Sequence, residues 1–340
     1  MGETQNINTN SMKKIAVFTS GGDAPGMNAC VRAVVRAGLH YGIEVMGVVK
    51  GYDGMISGSF TPMNRRSVSN IIQKGGTILK SARSDDFRTK EGRAKAYQQL
   101  KDNGIDGLVA IGGNGTFTGA KLFYEEFQFP TIGVPGTIDN DLFGSDFTIG
   151  YDTAVNTALD AIDKIRDTAD AHDRVFFIEV MGRATGYIAV RSAIGGGAEM
   201  AIIPESNMTD EEVIEKLKEG AGVSKASHII IVAEGDKPGN AIELAHKVKQ
   251  QIPEMDTKVS TLGHIQRGGA PTAADRVLAS RLGLGAVEGL LSGKSNVMVG
   301  VINHDLVYTS IDDAINKRKP VSDELIRLID VLNGRIYTTA

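Results

Sequence analysis

Short, unbroken apolar runs alternate along this chain with segments whose apolar residues recur every three to four positions. Residues 13–19 (KKIAVFT) read as a buried strand that leads into SGGDAPGMN and then a helix from about Met27 to His40. The same pattern predicts strands over 43–49, 105–113, 131–136, 174–182, 200–204, 228–235, 257–263 and 296–302. A strand solvated on one face alternates apolar and polar residues, so continuous apolar strands point to parallel sheets covered on both faces. The other period is clear in 153–167 (TAVNTALDAIDKIRD), where Val155, Ala158, Ile162 and Ile165 share one helical face. Thr209 and Glu212 form a capping box that opens a helix over 210–220. The expected class is α/β, with two doubly wound, mostly parallel sheets and helices on both faces. Ligands of such sheets bind beyond the carboxyl ends of the strands.

Composition narrows the possibilities. The 340 residues have room for about two domains. Glycine is the outlier, at 41 residues against an ordinary share of about 7%. With no collagen repeat, this excess points to tight turns and to backbone lying close to ligands. The net charge of −4 gives no electrostatic footprint for nucleic acid. A single cysteine, Cys30, excludes an intrachain disulfide framework and a multi-cysteine zinc site. No run of about 18 apolar residues is present, so no membrane span is expected. Residues 1–11 are polar and read as a loose tail, not a signal peptide, and a cytoplasmic setting is the default.

Three glycine-rich segments follow strands. In Ser20–Asn28, a helix N-terminus offers free N–H groups to an anion, although a plain tight turn accounts for Gly-Gly equally well. Neither a P-loop nor a dinucleotide fingerprint fits its spacing. The second segment, Ile111–Thr116, would suit a polyphosphate alongside the first, and Asn114 could offer oxygen to Mg²⁺ or serve as a turn residue. The third, Pro135–Asp141, puts Asp139 and Asp141 two residues apart. One carboxylate can take a proton and the other can support a metal, or the pair can be an acidic surface turn. Arg83, Arg88, Arg174, Arg183 and Arg267 all adjoin such turns and could hold phosphate oxygens.

Taken in order, SGGDAPGMN, KSARSDDFR, IGGNGT, PGTIDND, VMGRATGY and LGHIQRGG resemble the bacterial-type ATP-dependent 6-phosphofructokinases from about Met12 to the last helix. The resemblance implies transfer of phosphate from ATP, with Mg²⁺, to the 1-hydroxyl of fructose 6-phosphate. It implies an active site in the cleft between a nucleotide-binding domain (12–149 with about 266–317) and a sugar-phosphate-binding domain (150–265 with about 318–335). Asp139 would be the base, Thr137 would position the transferring group, and Arg83 and Arg183 would neutralise its charge. Gly22, Tyr52, Arg83, Ser84, Arg88, Gly113, Asn114, Gly115, Thr116 and Gly119 would hold ATP. Asn114 and Asp141 would support the metal. Thr137, Asp139, Met181, Gly182, Arg183, Glu234, His264 and Arg267 would hold the sugar phosphate. Arg174 and Lys258 would reach it from a neighbouring subunit, which implies a homotetramer with shared sites. An effector site for ADP and phosphoenolpyruvate would use Arg32, Arg36, Arg65, Arg166, Gly197, Glu199 and Lys225, although Arg32 and Arg36 also read as a solvated basic face.

Related pyrophosphate-dependent enzymes carry Asp and Lys where this chain has Gly115 and Gly136. Two glycines are expected to leave open the space needed by the nucleotide's α-phosphate. Two positions depart from the family pattern. Asn114 replaces an aspartate and so lacks its Coulomb attraction for a cation, and Lys258 replaces an arginine and so lacks its fork. Three alternatives remain open on this scaffold: a pyrophosphate-dependent or other-sugar kinase, a non-catalytic sugar-phosphate or nucleotide sensor, and a dinucleotide-dependent oxidoreductase, which the glycine spacing disfavours.

Overall fold

The computed structural model describes residues 12–171, 174–206, 208–220, 228–235 and 240–332. The 1–11 tail and Lys225 lie outside the described residues. Contacts divide the chain into two units. One runs through Thr153 and resumes at Arg267–Arg318, and the other comprises Ala154–Gln266 and the chain from Lys319 onward.

In the first unit, strands β1 (Lys14–Thr19), β2 (Glu44–Val48), β3 (Phe60–Met63), β4 (Gly107–Gly112), β5 (Thr131–Pro135), β10 (Val297–Ile302) and β11 (Asp305–Ser310) form one sheet. Its order is β11-β10-β5-β4-β1-β2-β3. The central pairs β1–β2, β1–β4, β4–β5 and β10–β5 are parallel, while β3 and β11 close the two edges antiparallel. The strand order reverses between β1 and β4, and the loops leaving these two strands must diverge there and open a crevice. Helices α1 (Met27–His40), α2 (Gly51–Ile56), α3 (Lys90–Asp102), α4 (Asn114–Phe127), α9 (Ala273–Leu291) and α10 (Ile311–Asn316) belong to this unit. Phe18, Phe87, Phe123 and Leu100 pack with Tyr52 in one core cluster beside the sheet. Each such fully buried side chain contributes roughly 1.5–3 kcal/mol of transfer free energy.

In the second unit, β6 (Arg174–Val180), β7 (Met200–Ile202), β8 (His228–Ala233) and β9 (Asp256–Thr261) form an all-parallel sheet in the order β7-β8-β6-β9. Its helices are α6 (Tyr187–Gly195), α7 (Asp210–Gly220), α8 (Asn240–Gln251) and α11 (Asp323–Leu332). Helix α5 (Tyr151–Asp170) carries the chain from one unit into the other. Val155, Ala158 and Ile162 on its predicted apolar face are buried. The capping box also forms: Thr209 N–H donates to Glu212 Oε2 at 2.8 Å, and Glu212 N–H to Thr209 Oγ1 at 3.2 Å. No described helix is long and apolar enough to cross a membrane.

Candidate active site

The crevice in the first sheet is lined by the turns that leave β1, β4 and β5. Gly21 and Gly26 take positive φ angles (85° and 107°), which lets the chain double back between β1 and α1. Gly112, the last residue of β4, has no room for a side chain. A β-carbon there would fall 2.2 Å from Thr116 Oγ1 and 2.6 Å from the Ser20 carbonyl. The hydroxyl of Thr116 donates to that same carbonyl at 3.1 Å, tying the β1 and β4 turns together.

The third turn is set by its own polar side chains. Asn140 sits in the left-handed region (φ 53°), where its Oδ1 accepts the Thr148 N–H and its Nδ2 donates to the Asp146 carbonyl. Thr137 Oγ1 accepts the Asp139 N–H at 3.2 Å, and the Thr137 carbonyl accepts the Thr148 hydroxyl at 2.6 Å. Thr137 and Asp139 are both buried, and a β-carbon on Gly113 would lie 3.5 Å from Thr137 Cβ. The turns after β4 and β5 therefore adjoin.

Asn114 opens α4, and its Nδ2 donates to Asp141 Oδ2 at 2.6 Å. A carboxylate accepts only, so the amide nitrogen must face it and the amide oxygen turns away. Among the described residues, no three His, Cys, Asp or Glu side chains converge as a self-sufficient metal cage. One carboxylate, with the neighbouring amide giving it an N–H, suits an ion held largely by a substrate's phosphates, the usual manner of Mg²⁺.

The two glycines of the donor argument differ. A β-carbon on Gly115 meets nothing within 4 Å, as expected, but one on Gly136 runs into Ile111 Cγ2 at 2.9 Å and Met27 Cε at 3.2 Å. The expectation of open space thus holds at Gly115 and fails at Gly136, whose missing side chain accommodates the apolar wall.

Tyr52 and Gly119 are brought together, since a β-carbon on Gly119 would fall 2.9 Å from the Tyr52 ring. Burial pushes the Tyr52 phenol well above its usual range, and its hydroxyl is committed to the Thr116 carbonyl at 2.5 Å. Tyr52 is thus part of the floor under α4. Arg83 and Arg88 are exposed, and Ser84 Oγ accepts the Phe87 N–H at 3.3 Å. Arg267 lies against the β1 turn: its Nη1 donates to the Asp23 carbonyl at 3.3 Å, and a β-carbon on Gly22 would lie 2.7 Å from that nitrogen.

In the second unit, Met181, Gly182 and Arg183 leave β6 with their backbone N–H groups pinned. Met181 N–H donates to the buried Gln266 Oε1 at 2.8 Å, and Gly182 and Arg183 N–H donate to Glu234 Oε1 at 3.3 and 2.9 Å. Gly235 must lack a side chain, because a β-carbon would fall 1.4 Å from the Arg183 carbonyl. His264 is exposed on the 3₁₀ turn Gly263–Arg267. Arg174 and Lys258 also meet, through a residue the sequence did not single out: Asp256 accepts from Arg174 Nε and Lys258 Nζ at 2.8 Å each. Their hydrogen bonds, Lys258's first, hold the Asp256 carboxyl below its usual range. Gln266, likewise missed, stood inside the quoted LGHIQRGG.

The residues of the expected effector site fall in both units. Arg32 and Arg36 lie on α1, and burial together with the charge of Arg36 lowers the Arg32 pKa. Arg65 lines a hollow of about 560 Å³ with Leu39, Asn64 and Arg66. In the second unit, Arg166 Nη2 donates to the Gly196 and Gly197 carbonyls, the latter at 2.9 Å, and Glu199 Oε2 accepts the Ile229 N–H at 2.6 Å.

Two mostly parallel sheets with glycine-rich turns at their carboxyl ends, and an acidic turn at the crevice of the larger one, define a doubly wound α/β protein with the architecture of a phosphate-handling enzyme. The chain belongs to the phosphofructokinase family, whose model matches residues 14–290. It is 68% identical over 326 residues to the ATP-dependent 6-phosphofructokinase of Cytophaga hutchinsonii, covering 96% of this chain and 99% of that one. It is 55% identical to ATP-dependent 6-phosphofructokinase 1 of Thermus thermophilus, covering 94% and 99%. Among solved structures, phosphofructokinase from Saccharomyces cerevisiae matches with a TM-score of 0.85 at 36% identity, over 89% of this chain. The present chain spans 45% of that longer yeast chain. A pyrophosphate-dependent phosphofructokinase from Marinobacter aquaeolei shares the fold alone, with a TM-score of 0.80 at 20% identity over 94% of this chain and 91% of that one.

Proposed function

We propose that this chain phosphorylates fructose 6-phosphate at its 1-hydroxyl with ATP, giving fructose 1,6-bisphosphate and ADP. The observation that carries this is the meeting of three turns at the strand-order reversal, which puts buried Asp139 and Thr137 beside the Gly113 turn and the Asn114–Asp141 pair. Asp139 takes the proton of the sugar hydroxyl as its oxygen bonds to the terminal phosphorus of ATP, and the bond from that phosphorus to ADP breaks. Thr137 positions the transferring group, and Arg83 and Arg183 neutralise the charge on its oxygens. Gly22, Ser84, Arg88, Gly113, Gly115 and Thr116 line the ATP path, over the floor made by Tyr52 and Gly119. Asn114 and Asp141 would hold Mg²⁺, which supplies charge neutralisation to the phosphates when bound.

Met181, Gly182, Arg183, Glu234, His264 and Arg267 grip the sugar phosphate, with Arg174 and Lys258 contributed by a neighbouring copy in a homotetramer. The Arg32, Arg36, Arg65, Arg166, Gly197 and Glu199 positions serve an effector such as ADP or phosphoenolpyruvate, and the enzyme works in the cytoplasm. ATP is favoured over pyrophosphate by the open space at Gly115.

Purified protein assayed side by side with ATP and with pyrophosphate tests the donor, and turnover with pyrophosphate alone would reverse that assignment. Asp139→Ser tests the chemistry. It should lose on the order of 10²–10⁴-fold in kcat, the usual contribution of a general base, while still binding nucleotide and sugar phosphate. Wild-type protein that binds both ligands without turnover would make the chain a sensor.

A further inference from the structure

Arg83 and Ser84 stand on a segment with no helix or strand of its own, and residues 74–81 before them are held by side chains. Asn28, 1% exposed near the start of α1, spends its whole amide on this segment. Its Nδ2 donates to the carbonyls of Lys74 and Gly75 at 3.1 and 3.0 Å, and its Oδ1 accepts the Ile78 N–H at 2.7 Å. Thr19, fully buried at the end of β1, holds the next stretch: its hydroxyl lies 2.8 Å from Thr77 Oγ1 and donates to the Lys80 carbonyl at 3.0 Å. Thr77 Oγ1 in turn accepts the Leu79 N–H at 3.3 Å. The Ser81 hydroxyl donates to the Gly21 carbonyl, joining the segment to the β1 turn. Gly75 abuts Gly269, where a β-carbon would fall 2.3 Å from the Gly269 carbonyl.

The far end of the segment is fixed as firmly. Buried Phe87 stacks on Tyr52 with ring centroids 3.9 Å apart. Arg93, 4% exposed, donates Nη1 to the Phe87 and Arg88 carbonyls at 3.0 and 2.9 Å. Arg83 therefore rides on a short exposed bridge between two clamps.

Gly75 and Gly76 give this stretch a large conformational space. With no sheet ladder, its backbone groups are met by a few backbone contacts, Lys50 N–H to the Leu79 carbonyl among them, and by side chains, so the conformation of Lys74–Ile78 depends strongly on Asn28, which alone takes three of its groups. Asn28 also lies in the first turn of α1, directly after the turn that leaves β1. One side chain thus couples the geometry of the ATP turn to that of the segment bearing Arg83.

We propose that Asn28 is a positioning residue for phosphoryl transfer, holding Lys74–Ile78 and through it the placement of Arg83. This rests on the function proposed above. The test is a double-mutant cycle of Asn28→Ala with Arg83→Ala, read as kcat and KM at saturating co-substrate. Asn28→Ala alone should lower kcat by about ten-fold or more, because displacing a catalytic group by about 1 Å costs up to 10²-fold, while KM for fructose 6-phosphate stays within about two-fold. In the Arg83→Ala background the same substitution should cost no more than about two-fold further, since the group it positions is gone.

Full multiplication of the two losses would overturn the proposal, as would an Asn28→Ala enzyme that is less heat-stable but has unchanged kcat. Asn28→Asp keeps the acceptor for Ile78 but loses both donors, so it should fall at least as far as Ala, and wild-type kcat in this variant would equally sink the idea. Should the Asn28 variants not fold, Thr77→Val enters the same cycle. It removes the Thr19 contact at constant shape and is expected to be silent in the Arg83→Ala background; independent multiplication there overturns the proposal. Wild-type protein without turnover of ATP and fructose 6-phosphate would defeat the functional assignment itself, and this proposal with it.

Discussion

Asp275, outside the quoted motifs, orders the junction of α9 with the start of α5. It lies in the first turn of α9, capped by Thr272, and is 1% exposed. Its carboxylate accepts the Gly150 N–H and Thr153 N–H at 2.8 Å each and the Thr153 hydroxyl at 2.5 Å, gathering the opening of α5. Removing it leaves buried donors without an acceptor, so Asp275→Ala should cost about 2–4 kcal/mol. In a thermal melt that corresponds to a fall of roughly 5–15 °C. Burial, the larger influence, raises the Asp275 pKa, against the downward pull of the Thr153 and Gly150 hydrogen bonds. The folded protein therefore holds this proton to higher pH than the unfolded chain does. Its contribution to stability must fall as pH rises from the ordinary carboxylate pKa of about 3.9 to the raised folded value. Asp275→Asn removes that slope, and urea unfolding of both proteins from pH 4 to 7 would show wild type losing its relative advantage as pH rises. A second single-residue prediction concerns the donor. Gly115 lies in the first turn of α4 and faces open space, so Gly115→Asp fits sterically and suits a helix N-terminus. It should fold with an unchanged melting temperature yet raise KM for ATP by about ten-fold or more through charge repulsion of the phosphates; an unchanged KM would remove Gly115 from the ATP path.

At the level of elements, α3 and α4 are locked by one fork. Arg93 donates Nε and Nη2 to the two oxygens of Glu126 at 2.8 and 2.6 Å while Nη1 serves the carbonyls that end the 86–88 turn. Its hydrogen bond holds the Glu126 carboxyl below the usual range. Lysine keeps the charge but cannot serve four acceptors from one plane, so Arg93→Lys should cost about 1–3 kcal/mol in denaturant unfolding. An unchanged midpoint would show the fork to be idle. The nine predicted strands all form, most of them as dense apolar runs that are buried, β9 (DTKVST) being the half-exposed exception at a sheet edge. The two missed strands are the antiparallel edges. β3 (FTPM) is four residues long with Pro62 inside it, which only an edge tolerates. β11 alternates weakly and is half-buried, and it pairs with β10 across Asn303 and His304, both at positive φ (49° and 73°). That is the geometry of a tight hairpin turn, for which Asn-His is a faint signal beside Asn-Gly. The site is similarly divided. Turns that place glycine or aspartate after a strand announce themselves locally. Asp256 beside Arg174, Glu234 beneath the β6 turn and Asn28 on Lys74 depend on pairing between distant segments, which no local pattern encodes.

For the whole molecule, the informative feature is the edge of the second sheet. β9 is an edge strand with its residues only half-buried or exposed, and its charged face carries Asp256 and Lys258 beside Arg174 of β6. Charges on an edge strand ordinarily serve to block pairing with another chain. Here the cations form a two-lobed cluster around one carboxylate, and a phosphate dianion could share these cations with the carboxylate or displace it from them. If this cluster completes the site of a neighbouring copy, the catalytic parts must be separable between subunits. Asp139→Ser lacks the base but keeps the cluster, whereas the double variant Arg174→Ala, Lys258→Ala keeps the base but lacks the cluster. Each alone should be nearly inactive at low fructose 6-phosphate. Unfolding and refolding an equal mixture should create sites that draw Asp139 from one parent and the cluster from the other. Random assortment across a two-fold interface makes about a quarter of all sites intact, so activity should return to about a quarter of wild type. A site built within one chain gives no such recovery, because every site in the mixture would inherit one defect whole. Sedimentation of the wild-type protein at assay concentration supplies the companion measurement: a monomer there, with full activity, would exclude any sharing of the site.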